Sequence, residues 1–224
     1  MRSIGERALD VAMNEVGVLE DPPGSNSGKR VKEYLAPCVR GDRNTLLHLT
    51  ASNWCMAFSS WCMQQALFPH EKAPHGYRAG VIEAVADVRD PQSPWSGKWH
   101  DVKEVRSGVW RPNPGDLAIY DRSIPSRPDT SWWRHVNRVI SFSDDGLFRT
   151  VGGNEAQRVK VAEQTIDKVS LLGFIAYPQP KEPATKELLT TDEKVQLAHL
   201  VYLTIDGMLR ESIHGQTLDE EDED

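Results

Sequence analysis

Cys55 lies in the run Asn53-Trp54-Cys55-Met56-Ala57-Phe58-Ser59-Ser60-Trp61-Cys62, where a polar segment gives way to helical spacing. A thiol at the start of a helix feels unpaired backbone N–H groups and the positive end of the macrodipole, and both favour the nucleophilic thiolate. Ser52 or Asn53 is the expected cap of that end. Two groups that such a thiol needs follow downstream. His135 leads the stretch His135-Val136-Asn137, and a second stretch runs into Gly152-Gly153-Asn154-Glu155. An imidazole can accept the thiol proton and return it to a leaving amine, while a polar partner on its second nitrogen fixes its tautomer. The backbone N–H of Cys55 is placed to donate to an oxyanion developing at the attacked carbonyl. Taken singly, a Trp-Cys at a helix start, a strand histidine and a Gly-Gly-Asn turn each have a purely structural reading. In the order Cys, His, polar orienter, they point to covalent cysteine catalysis.

The identity of the orienter depends on the turn Ser143-Asp144-Asp145-Gly146. A four-residue loop pairs Phe142 with Leu147 and sets His135 opposite Asn154, whereas a three-residue loop sets Glu155 there. Asn154 is the expected third residue and Glu155 the alternative; the sequence leaves the register open. Trp54, beside the thiol, and Trp133, just before His135, are the expected substrate contacts.

These side chains need elements to hold them. Ser3-Ile4-Gly5-Glu6 has capping-box form, and Ile4, Ala8, Val11, Ala12 and Val16 recur at helical spacing up to Gly17. After the loop 21–28, Val31, Tyr34 and Leu35 suggest a short second helix ending before Pro37; the Cys55 helix runs toward Leu67, and 80–88 reads as a further helix. Residues 90–115 read as a long connector. Strands are expected at 117–120, 135–142, 147–151, 159–161 and 171–177. Helices followed by an antiparallel meander make an α+β domain over 1–180, with 181–224 a linker, a helix opened by Thr190-Thr191-Asp192-Glu193, and an acidic tail.

The chain has 224 residues, 39% of them hydrophobic, with seven Trp, which suits a single well-cored domain with an appendage. Its formal charge is −7, of which the run 219–224 supplies six negative charges, so the body stands at −1. A near-neutral body offers no electrostatic case for nucleic acid or an anionic membrane. Three cysteines are a poor disulfide framework. Cys55 and Cys62 on one helix would stand roughly 10.5 Å apart along its axis at about 1.5 Å per residue, beyond the ~7 Å Cα separation a disulfide tolerates. Cys62 is expected to be a buried core residue. No Cys/His pair has zinc-ligand spacing, so neither metal nor cofactor is expected. The N-terminus lacks an apolar signal core and no stretch is long enough to span a bilayer; synthesis in a cytoplasm without a signal peptide is expected.

Over roughly residues 4–178 the chain resembles the CHAP and NlpC/P60 superfamily of papain-like cell-wall hydrolases, and within it a bacterial and phage-associated CHAP-like group. The resemblance rests on Gly17-Val18-Leu19-Glu20, Tyr34-Leu35, Trp54-Cys55-Met56-Ala57-Phe58, Pro114-Gly115-Asp116, His135-Val136 and Gly152-Gly153-Asn154 in that order. It implies a papain-like fold with N-terminal helices packed on an antiparallel sheet. It also implies Cys55 as nucleophile, His135 as base and acid, Asn154 as orienter, and peptidoglycan as substrate. The bond cut would be a wall-peptide amide, by an endopeptidase or an N-acetylmuramoyl-L-alanine amidase. Asn137 departs from the family, which usually has Gly after His-Val, and the connection from Tyr120 to His135 is long and Trp-rich. A wall hydrolase without an export signal must be delivered to the periplasm or wall of a target cell. An antibacterial effector with a secretion carrier or a cognate inhibitor as partner is therefore expected, with a phage endolysin as the other route. The competing classes are an intracellular cysteine protease and a non-catalytic binding module of the same fold.

Overall fold

The first helix begins where Ser3 and Glu6 cap one another: the Ser3 hydroxyl accepts from the Glu6 N–H, and the Glu6 carboxylate accepts from the Ser3 N–H at 2.7 Å. In the computed structural model, residues 2–39, 52–127 and 133–180 are described. The expected C-terminal helix and acidic tail lie outside them, as does part of the Trp-rich connection that includes Trp132. Helix α1 covers Ile4–Asn14 and buries Ile4, Ala8 and Ala12; Val16, expected on the same face, falls beyond the helix and is exposed. Helix α2 (Lys29–Leu35) buries Val31, Tyr34 and Leu35 and passes into a 3-10 turn, Ala36–Cys38. Helix α3 is Cys55–Ala66 and α4 is Val81–Arg89.

Strand β1 (Lys98–Asp101) and the short helix α5 (Val102–Arg106) follow, in the stretch expected to be a connector. The start of α5 was readable: Asp101 accepts from the Lys103 N–H while Glu104 accepts from the Asp101 N–H, a capping box like that of Ser3. Then come β2 (Leu117–Asp121), β3 (Arg134–Phe142), β4 (Leu147–Gly152), β5 (Lys160–Thr165) and β6 (Leu171–Ala176). They form one six-stranded sheet in the order β1-β6-β2-β3-β4-β5, every neighbour antiparallel. The meander β2 to β5 is as expected; β6 then returns along the free edge of β2 and carries β1 outside it.

Helices α1, α2 and α3 bury one cluster with Trp54, Tyr34, Phe58, Val151 and Val159. A second joins Ile4, Met56, Val81, Ile119, Val136 and Ile175, and a third packs α5 against Ala118, Phe148 and Phe174. The Pro-Gly-Asp motif is explained by packing. Gly115 has φ +95°, and a side chain there would collide with the backbone of Gly5 in α1. Asp116 then accepts from the backbone N–H groups of Asn113 and Tyr177, each at 2.7 Å, and so ties the start of β2 to the end of β6. Arg138, fully buried, donates to the carbonyls of Gly115 and Ser59 and locks β3 to that turn and to α3. Among the described residues no helix is long and apolar enough to cross a membrane.

Candidate active site

Cys55 is the first residue of α3, preceded by Trp54 at the N-cap. Neither expected cap fills that position: Trp54 gives the helix no side-chain cap, and the Asn53 carboxamide is engaged elsewhere. The first-turn N–H groups of a helix have no partners within it, so the Cys55 amide is available in principle to an oxyanion. The thiol is 3% exposed and packs with Met56, Ile119 and Val136.

His135, the second residue of β3, is 2% exposed and lies close enough to the Cys55 thiol for each to shift the other's titration. Its Nε2 lies 2.6 Å from Oε1 of Glu155, so Nδ1 is the ring nitrogen not taken by the carboxylate. Burial alone would raise the Cys55 thiol, but the charge and hydrogen bond of His135 and a backbone hydrogen bond from Val136 outweigh it and lower its pKa. The same pairing raises His135, against burial that would lower it. Both shifts act toward thiolate beside imidazolium. Cys38 and Cys62 are pushed up to about 12 by burial, so the three buried thiols differ by environment alone.

Glu155 takes the place expected of Asn154. The turn follows the three-residue register, with Phe142 paired to Phe148 and Gly146 at φ +80°. A bulge between Val139 and Ser141 then shifts the ladder by one residue, so that Arg138 pairs with Val151. Extended, that register would bring Asn154 opposite His135, but β4 stops at Gly152 and Asn154 turns out of the ladder at φ +58°. Its Nδ2 donates to Asn26 Oδ1 at 3.0 Å and Asn53 Oδ1 at 3.2 Å, which fastens the turn 153–155 to the loop 18–28 and to the approach to Cys55. Glu155, one residue on, reaches the imidazole. Burial would raise its carboxyl, but the hydrogen bond and charge of His135, with Asn137 and Arg122, hold it at about 2. Arg122 Nη2 stands 3.1 Å from the same oxygen, Oε1.

Trp54 is not a substrate contact. It is fully buried, stacks on Tyr34 at 5.6 Å, meets Phe58 edge-on, and donates Nε1–H to the buried Glu20 carboxylate at 2.9 Å. Gly153 lets the turn that leads to Glu155 pass this aromatic wall, since a Cβ there would lie 2.6 Å from the Trp54 ring and 2.8 Å from Phe58. Trp133 precedes β3 with the Arg127 guanidinium 5.6 Å from its ring, at the end of the strand that carries His135. Sequence reasoning missed Arg122 and Asn137. Nothing local flags Arg122, just past β2; Asn137 could have been found, because it follows His135 at the two-residue spacing that puts strand side chains on one face.

Comparison with known proteins returns no matching family model, no matching curated protein and no matching solved structure.

Proposed function

We propose that the chain is a papain-like cysteine hydrolase that cleaves an amide bond of the peptidoglycan peptide, as an endopeptidase or an N-acetylmuramoyl-L-alanine amidase. The observation that carries the chemistry is the series of buried Cys55, buried His135 and partly exposed Glu155, with a lowered thiol, a raised imidazole and a carboxylate on the far ring nitrogen. The substrate class rests on the ordered motifs from Gly17 to Asn154.

In this mechanism the Cys55 thiolate attacks the amide carbon, and the carbonyl oxygen takes the negative charge facing the Cys55 N–H. As the intermediate collapses, the C–N bond breaks and the departing nitrogen takes the His135 proton, leaving a thioester. His135, now neutral, draws a proton from water, and the hydroxide attacks the thioester. Breaking the C–S bond releases a carboxylic acid and regenerates the thiolate beside the imidazolium. Glu155 keeps the ring oriented and stabilises its charged form throughout.

Purified protein should release muropeptides from isolated sacculi, and mass spectrometry of the products identifies the bond. Intact sacculi after prolonged digestion would remove peptidoglycan as substrate, and release by Cys55→Ala would remove the cysteine mechanism. Fused to an export signal in a bacterium the chain should cause lysis, and Cys55→Ala should not.

A further inference from the structure

Two polar groups beside the His135–Glu155 pair are unaccounted for by the three-residue mechanism: the Asn137 carboxamide and the Thr150 hydroxyl, both buried. Asn137 Nδ2 donates to Glu155 Oε1 at 2.9 Å, the oxygen that also meets His135 Nε2, and contacts Thr150 Oγ1 at 3.3 Å. The Thr150 hydroxyl donates to the Ala162 carbonyl of β5 at 3.4 Å, so its hydrogen is committed and its lone pair faces Asn137. The amide orientation is thereby fixed. Turned over, Asn137 would set its oxygen against a carboxylate, with two acceptors and no donor between them.

That orientation has a cost. Asn137 Oδ1 is buried with no hydrogen-bond partner. Burying an acceptor without a donor is unfavourable, and such groups persist where something else depends on them. The facing position is Gly152, where a Cβ would collide with Asn137 Oδ1. The chain has therefore cleared room for a carboxamide at a position where any other residue would expel it.

We infer that Asn137 is a positioning residue for this site, the link through which the sheet holds Glu155 and hence His135 and Cys55. The hydrogen bonds tie three strands to the carboxylate: the Ala162 carbonyl accepts from Thr150, and the Asn137 amide nitrogen donates both to Thr150 and to Glu155. Glu155 in turn holds His135 Nε2. Asn137 adds no charge; it stabilises Glu155 as carboxylate and leaves Oε1 aimed at the imidazole. Arg122 serves the same oxygen from a half-exposed side chain, whereas Asn137 is 1% exposed and cannot exchange its partner for water.

The inference rests on the cysteine-hydrolase reading, yet its test needs no peptidoglycan. The rate of Cys55 alkylation by iodoacetamide, followed from pH 4 to 9 by mass spectrometry of the Cys55 peptide, reports the thiolate fraction directly. Asn137→Leu, near-isosteric and without a donor, should shift the limb of that profile up by about one pH unit, a roughly tenfold slower alkylation at a pH below the limb. Circular dichroism checks that the variant is folded; if Leu does not fold, Asn137→Ala is used in its place. A folded variant with a lowered melting temperature and an unmoved profile makes Asn137 merely structural and overturns the proposal. If the wild type alkylates normally and the variant shifts but sacculi stay intact, the positioning role stands and the substrate assignment fails.

Discussion

Glu155 Oε1 lies 2.6 Å from His135 Nε2, although the strand that leads to Glu155 has already left the sheet at Gly152. The carboxylate reaches the ring from a turn, and it is held there by Asn137 and Arg122 rather than by strand pairing.

Removing that charge should cost more than removing the neighbouring amide. Glu155→Gln is expected to lower hydrolysis of sacculi by about 10²-fold, within the usual range for a group that supports proton transfer. Asn154→Ala should cost less than about tenfold, since it loses hydrogen bonds worth ~1 kcal/mol each and touches the imidazole nowhere. Initial rates of muropeptide release measure both; the reverse ranking would restore Asn154 as the orienter.

Thiol chemistry separates the three cysteines. Only Cys55 has its thiol lowered, while Cys38 and Cys62 stand at about 12. Brief treatment of the folded protein with iodoacetamide at pH 6 should modify Cys55 alone, and unfolding should make all three equivalent. Peptide mapping reads this out, and equal labelling in the folded state would mark Cys55 as inert and favour a non-catalytic module.

Much of this was legible because it is local. The Ser3–Glu6 box, the Cys55 helix, and the strands from Leu117 to Ala176 follow from caps and periodicity acting over a few residues. The choice between Asn154 and Glu155 was not. It depends on a bulge within β3, on the left-handed turn at Asn154, and on where the β3–β4 ladder ends, none of which side-chain alternation encodes. Strand β1 was hidden for a related reason: Lys98–Asp101 is four residues long, none of them fully buried, and pairs only with β6, far away in sequence. Trp54 misled because an aromatic beside a nucleophile suggests a cleft wall, whereas its indole N–H is committed to Glu20.

Trp54→Phe tests that correction. It keeps the aromatic packing but leaves a buried oxygen of Glu20 without its donor, for an expected loss of ~1–3 kcal/mol of stability. KM for soluble muropeptides should be unchanged. A raised KM at unchanged stability would return Trp54 to the substrate.

Gly152→Ala should behave as a remote version of an Asn137 change. The new Cβ meets Asn137 Oδ1, so the carboxamide must move off Glu155. Alkylation of Cys55 should slow below pH 6 with little change in far-ultraviolet circular dichroism, and an unaltered rate would show that the carboxamide has space to spare.

The acid limb of stability should carry the mark of Glu155. Its carboxyl is held at about 2 in the folded protein against 4.5 as the ordinary value. The unfolded chain therefore takes up this proton first as the pH falls. Stability from Glu155 is fully present above about pH 4.5 and is lost as the pH drops through about 2. His135 works on the other limb: its folded value is raised above 6.5, so its contribution is complete below that pH and fades as the pH rises through the folded value. Glu155→Gln removes the titrating group from the acid side. Urea denaturation from pH 2.5 to 9 should show the wild type more stable than the variant, by on the order of 1–2 kcal/mol after allowing for partial exposure, from about pH 5 to neutrality. The two curves should converge toward pH 2.5. A difference that stays constant down to that pH would mean that Glu155 is not ionised against His135 in the folded state, and the thiolate–imidazolium pair would lose its support.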